Sequence, residues 1–200
     1  MIYIFGDSHA NYNFKNLPVP NTNLFENSIT MYRIGRDNKI INFSDTYNNP
    51  DSIFILSYGE VDSRCHIGKQ VELGKDIREV CESLVINYFN TIKNNIVSYN
   101  IIIICSIVPT MNKTLFESVH GPITHEFPFI GNDDERVNNT NIMNNFLKIY
   151  CEKYNYKFLD ITKEYSNTEG TLKIEDSDTI AHIINNNIIH KKLLELLYNN

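Results

Sequence analysis

Ser8 is the residue in this chain best placed to do chemistry. The apolar run Ile2-Tyr3-Ile4-Phe5 stops abruptly on Gly6-Asp7-Ser8-His9-Ala10. A buried strand that ends this way delivers a small hydroxyl residue to its C-terminal end, where open α/β sheets bind their ligands. Gly6 allows a tight turn, and a helix starting here would aim its first backbone N–H groups at the same spot. A nucleophile and part of an oxyanion hole can thus share one turn. Gly-Asp-Ser is also ordinary turn chemistry, so the reading needs support from elsewhere in the chain.

Two further clusters give that support. Gly59-Glu60-Val61-Asp62-Ser63-Arg64-Cys65-His66 follows another apolar run and packs Glu60, Asp62, Ser63, Arg64 and His66 into the seven residues after its glycine. The tail Glu175-Asp176-Ser177-Asp178-Thr179-Ile180-Ala181-His182 offers carboxylates a short distance before a histidine. Serine hydrolysis needs a histidine to take the hydroxyl proton and a carboxylate to hold the imidazole's tautomer. One short loop can supply both.

The elements that must position these groups follow from the hydrophobic pattern. Continuous apolar runs at 53–58, 101–107 and 157–161 read as strands covered on both faces, with a shorter strand expected at 30–34. Three- and four-residue spacing predicts a long amphipathic helix over 71–96, a second over 138–154 and a third over 188–198. Strands alternating with helices predict a three-layer α/β/α sandwich with a mainly parallel five-stranded sheet. The segment 108–137, with Pro109, Pro122 and Pro128, reads as a lid or substrate-binding excursion.

Two hundred residues, 42% of them hydrophobic, suit a single domain over 1–200. The net charge is −6 and the Lys and Arg residues are scattered, so no nucleic-acid partner is expected. There is no basic, apolar leader and no run long enough to span a membrane, which makes a cytoplasmic location the expectation. The cysteines Cys65, Cys81, Cys105 and Cys151 form no Cys-x-x-Cys pair, against a zinc site or disulfide framework. Cys81, Cys105 and Cys151 fall in apolar segments and are expected to be reduced core residues.

Taken together, these residues resemble the SGNH family of serine esterases, also called GDSL-type hydrolases. The resemblance rests on Gly6-Asp7-Ser8 after the first strand, a later lone glycine, the Gly-x-x-Asp block from Gly59 to Asp62, and an Asp/His pair before the last helix. It is closer to a branch with Gly-Asp-Ser-His at the front, Met31-Tyr32-Arg33-Ile34-Gly35-Arg36-Asp37, and a block running from Gly59 to Gln70. The resemblance implies a flavodoxin-like fold with Ser8 as nucleophile, His182 as general base and Asp178 as its orienting carboxylate. It also implies Ser8 and Gly35 N–H groups in the oxyanion hole, no cofactor and no metal. A short-chain ester of a glycan, with acetyl as the acyl group, is the implied substrate, the acceptor being water or another hydroxyl. The neighbours Asp7, His9, Gly59, Glu60, Asp62, Arg64 and His66 are the expected oxyanion and substrate-binding residues.

In one position the chain departs from the family. Its third block is normally Gly-x-Asn-Asp, and the oxyanion-donating Asn is here Val61, which cannot donate. Arg64 and His66 are the nearest polar replacements, and Arg64 is favoured because its charge is permanent. Alternatively, Arg64 pairs with Glu60 or Asp62 and shapes the loop. Two other readings compete. Asp7-Ser8-His9 looks like the Asp-x-His opening of binuclear metallophosphoesterases, but Gly131-Asn132-Asp133 lacks a histidine and there is no His-x-His. A non-catalytic glycan-binding protein on the same fold is the other.

Overall fold

The computed structural model describes residues 1–124, 126–178 and 182–198. Five parallel strands, β1 (Ile2–Gly6), β2 (Asn21–Asn23), β3 (Ile53–Ser57), β4 (Ile101–Cys105) and β5 (Lys157–Leu159), form one sheet in the order β2-β1-β3-β4-β5. This is the flavodoxin-like order, and its switch point lies between β1 and β3. These two strands pair in register from Ile2 opposite Ile53 to Gly6 opposite Ser57. The helices are α1 (Ser8–Asn13), α2 (Met31–Asp37), α3 (Ile67–Glu72), α4 (Ile77–Asn95), α5 (Lys113–His120), α6 (Asp133–Tyr154), α7 (Thr162–Tyr165) and α8 (Asn187–Tyr198).

Strand alternation divides the core in two. Phe5, Phe54, Leu56, Ile102 and Ile104 point to one face, where they meet Met31 and Ile34 of α2, Cys81 and Val85 of α4, and Met143 and Leu147 of α6. Ile2, Ile4, Ile55, Ile103 and Cys105 point to the other, under Ala10 of α1 and Ile189 and Leu193 of α8. Helices therefore cover both faces, and the expected three-layer sandwich is what the chain builds. All four cysteines are buried thiols. Among the described residues no helix is long and apolar enough to cross a membrane.

Four expectations about elements are corrected. The segment 30–34 is helical: the Thr30 side chain accepts the Arg33 N–H at 3.0 Å as an N-cap, and the buried Met31 and Ile34 share one helix face. The edge strand is instead β2. The region 71–96 is broken, because Gly74 takes φ +83° and Asp76 starts α4 afresh by accepting the Arg78 and Glu79 N–H groups. Helix α6 begins at Asp133, not 138, under a capping box between Asn132 and Glu135. The excursion 108–137 contains α5.

Candidate active site

The chain leaves β1 toward one face of the sheet through α1, and leaves β3 toward the other through a π-helical turn over Asp62–His66. Divergence of two parallel neighbours opens a crevice at their C-terminal ends. Ser8 stands at its floor. Gly6 is required there, since a Cβ would lie 2.3 Å from the Ser57 carbonyl oxygen and 2.4 Å from Ala10 Cβ. Asp7 caps α1, accepting the His9 N–H at 2.9 Å, which fixes Ser8 as the first helical residue.

His182 reaches this floor from the far end of the chain. Its Nε2 lies 3.1 Å from Ser8 Oγ, and its Nδ1 lies 3.1 Å from Asp178 Oδ2. The loop is pinned at its base: Ser177 pairs with Ile183, the Asp178 N–H donates to the His182 carbonyl, and the His182 N–H donates to Asp178 Oδ1. Thr179, Ile180 and Ala181, between them, lie outside the described residues. The Tyr12 ring stacks on the imidazole at 4.1 Å. Burial and the neighbouring His9 hold the His182 pKa below the usual imidazole value, against the pull of Asp178. The ring is therefore neutral at neutral pH and free to accept a proton.

A buried charge network flanks this pair. Glu60 Oε1 accepts from Arg64 Nε at 2.8 Å, and Glu60 Oε2 lies 3.7 Å from His9 Nε2. Burial opposes ionisation of Glu60, but the two cations outweigh it and bring its pKa down to about 2. Burial would likewise discharge His9, and the Glu60 and Asp7 carboxylates reverse this, leaving its pKa raised. Burial lifts Asp7 to about 6. Asp62 is pushed by burial to about 7, against the Met31 and Tyr32 N–H groups that its carboxylate accepts at 2.6 and 3.1 Å. Asp62 thus ties the N-terminus of α2 to the turn after β3.

The remaining expected residues fall in different places. Gly59, at φ +114°, makes the turn after β3, and a Cβ there would lie 2.7 Å from Ile107 Cδ1. Gly35 lies inside α2 against α4, where a Cβ would sit 2.7 Å from Asn87 Cβ. Its place is in helix packing, so the expectation that its N–H lines the oxyanion hole is corrected. His66 is also removed from the site, since it stacks on Tyr32 at 4.4 Å and faces a separate groove between α2, α3 and α4. Arg64 does border the site, with its fork engaged: besides Glu60 it donates through Nη1 to the Phe127 carbonyl, and it covers the Phe129 ring at 5.4 Å. This is the loop-shaping role, in place of an oxyanion contact.

Ser8 and His182 open into a cavity of about 220 Å³, walled by His9, Glu60, Val61 and Arg64 and also by Ser28, Met111, Phe116 and Ile123. The sequence reading missed the last four. Ser28 carries φ +58°, an uncommon backbone state for a non-glycine residue, and it follows no motif. Tyr12, also missed, had a signal, lying four residues after Ser8 on the same helix face.

Among the described residues no three His, Cys, Asp or Glu side chains gather as a metal site. The groups a two-metal centre would need are otherwise engaged. Asp7 caps α1, both Asp62 oxygens take backbone N–H groups, and Asn132 caps α6.

No protein-family model and no curated protein matches the chain. Solved structures do. A GDSL-like lipase from Bacteroides thetaiotaomicron is 10% identical and superposes with a TM-score of 0.61, over 96% of this chain and 84% of the other. An acetyl xylan esterase is 13% identical with a TM-score of 0.55, over 98% of both chains. The OSK domain of Drosophila Oskar is 13% identical with a TM-score of 0.54, over 98% of this chain and 86% of the other. The fold is therefore the α/β fold of GDSL-type hydrolases.

Proposed function

We propose that the protein is a serine ester hydrolase or acyltransferase working through Ser8, His182 and Asp178. The observation that carries this reading is the chain of contacts from Ser8 Oγ to His182 Nε2 and from His182 Nδ1 to Asp178, at 3.1 Å each. His182 Nε2 takes the hydroxyl proton as Ser8 Oγ bonds to the ester carbonyl carbon, and the carbonyl π pair moves onto oxygen. Asp178 stabilises the imidazolium that results. Collapse of the tetrahedral intermediate breaks the bond to the alcohol, which leaves with the proton from His182. Water, or a second hydroxyl in the transferase case, then attacks acyl-Ser8 by the same route in reverse.

The oxyanion needs donors that Val61 cannot supply. The Ser8 N–H, at the first turn of α1 and without an intrahelical acceptor, is one. Ser28, which lines the same cavity, is assigned as the other. The substrate is a short-chain acyl ester carried on a sugar, a reading supported by the resemblance of residues 31–37 and 59–70 to the glycan-linked branch. A fluorophosphonate probe tests the mechanism: it should label Ser8, and Ser8→Ala should lose both labelling and ester turnover while keeping its melting temperature. Unchanged turnover in Ser8→Ala overturns the serine mechanism.

A further inference from the structure

The cavity over Ser8 is not polar throughout. Besides its polar lining, which includes Ser28 and Arg64 as well as the groups around Ser8, the cavity presents Val61, Met111, Phe116 and Ile123. A cavity that joins polar groups at the reacting atoms to an apolar cluster sorts a ligand by its two ends. The apolar side is its own small cluster: Met111 and Phe129 are buried together with Phe116 and Ile123 packed on them, apart from both main cores. Helix α5 carries Phe116 and has no buried residue, so this helix is not part of either main core.

The wall is also held firmly. Phe116 meets Phe129 edge-on at 5.3 Å, and Phe129 lies between the Arg64 and Arg136 guanidiniums at 5.4 and 4.9 Å. Arg64 binds the Phe127 carbonyl through Nη1, and the Ile130 N–H returns to the Arg64 carbonyl at 3.1 Å. The buried cation thus fastens the 127–130 segment to the turn after β3.

We propose that Val61, Met111, Phe116 and Ile123 form an acyl-chain subsite, and that the preferred acyl group is a saturated chain of four to six carbons rather than acetyl. This rests on the serine-ester reading above. The reasons are chemical: an acetyl methyl would leave most of this apolar surface facing water, and a charged or hydroxylated acyl group would find no partner among these four side chains. The cavity of about 220 Å³ must also admit the carbonyl, which limits the chain at its upper end.

The test is the kcat/KM series of p-nitrophenyl acetate, butanoate, hexanoate and decanoate, whose common leaving group leaves only the acyl side to vary. The specificity constant should rise about fourfold per methylene from acetate to the optimum, and fall at decanoate. Phe116→Ala should move the optimum to a longer chain, and Ile123→Ala provides the same readout if that variant folds poorly. Acetate as the best substrate, a flat series, or an optimum unmoved in both variants overturns the subsite. Fluorophosphonate labelling run alongside separates the two failures. Labelled Ser8 with acetate preferred removes the subsite alone, and an unlabelled Ser8 with no ester turned over removes the serine reading and the subsite with it.

Discussion

Tyr12 and His182 stack with 4.1 Å between ring centroids and 13° between planes. Tyr12 sits one helical turn after Ser8, so a single short helix supplies both the hydroxyl that faces His182 Nε2 and the surface against which the imidazole rests. The stacking restrains rotation of the ring about its last bond. Tyr12→Ala should therefore lower kcat on an activated ester by about tenfold through loss of orientation, with KM little changed. Tyr12→Phe keeps the stack and should retain activity. Steady-state kinetics of the two variants checks this, and equal losses in both would place the effect in the hydroxyl instead.

The pH profile depends on His9. Catalysis needs neutral His182, whose pKa lies below the ordinary imidazole value because of burial first and the His9 charge second. The rate should rise with pH and reach half its plateau below pH 6.5. The groups that face the His182 ring are Asp178 on its own loop, Ser8, His9 and Tyr12 from α1, and Glu60 after β3. His9→Gln removes the one cation among them, so protonation of His182 becomes easier. The acid limb should move up by about one pH unit. A limb that stays in place while Tm falls would make His9 a structural residue only.

Arg64 holds two segments together, and lysine cannot hold both with one ammonium group. Arg64→Lys should lose about 2–4 kcal/mol, since breaking a buried pair leaves Glu60 partly uncompensated. At about 2–4 °C per kcal/mol for a chain of this size, the melting temperature should fall by roughly 4–16 °C. Fluorophosphonate labelling of Ser8 should persist at temperatures where the variant is folded. Calorimetry and labelling read the two effects separately, and abolished labelling at unchanged Tm would restore Arg64 to the reacting centre.

Gly35 offers a complementary check. A Cβ at this position would crowd Asn87 of α4, with 3.3 Å to the Asn87 carbonyl carbon, so Gly35→Ala should cost about 1–3 kcal/mol by overpacking. Its kcat should match the parent's once both are folded, because the residue lies in helix packing away from Ser8. A large kcat loss at unchanged stability would return its N–H to the oxyanion hole.

The sheet was legible because parallel strands buried on both faces carry unbroken apolar runs, as at Ile53-Phe54-Ile55-Leu56 and Ile101-Ile102-Ile103-Ile104. The helix boundaries were less so. Thr30 is β-branched and follows Ile29, which reads as strand until its side chain is seen to cap α2. Spacing alone ran 71–96 together because Val71 and Leu73 fit the helical stripe, yet both are exposed just ahead of the break that Gly74 makes. At the site, Ser8, His182 and Asp178 could be named from motif order. Ser28 could not, because its relevance comes from a left-handed backbone and from the place where the connection after β2 passes the crevice. The hydrophobic wall was hidden for a related reason: Met111, Phe116 and Ile123 have no common period, and only the folding back of residues 108–137 unites them.

The pairing of Ser8 with His182 joins positions 174 residues apart, and the tail is fastened to the front of the chain by Asn186, whose amide donates to the Tyr12 and Lys15 carbonyls. Contacts of such sequence separation carry the largest loop-closure entropy and form after the local ones. By that argument the reactive pair closes after the local helices and strand pairs, once the tail is seated. Besides Asn186, the tail is held by Ile189 and Leu193 in the core, by Lys157 Nζ on the Leu196 carbonyl and by Lys192 Nζ on the Asp160 carbonyl. Reactivity of Ser8 toward an acylating probe accordingly measures the latching of the chain's two ends, a quantity that a global melting curve averages away.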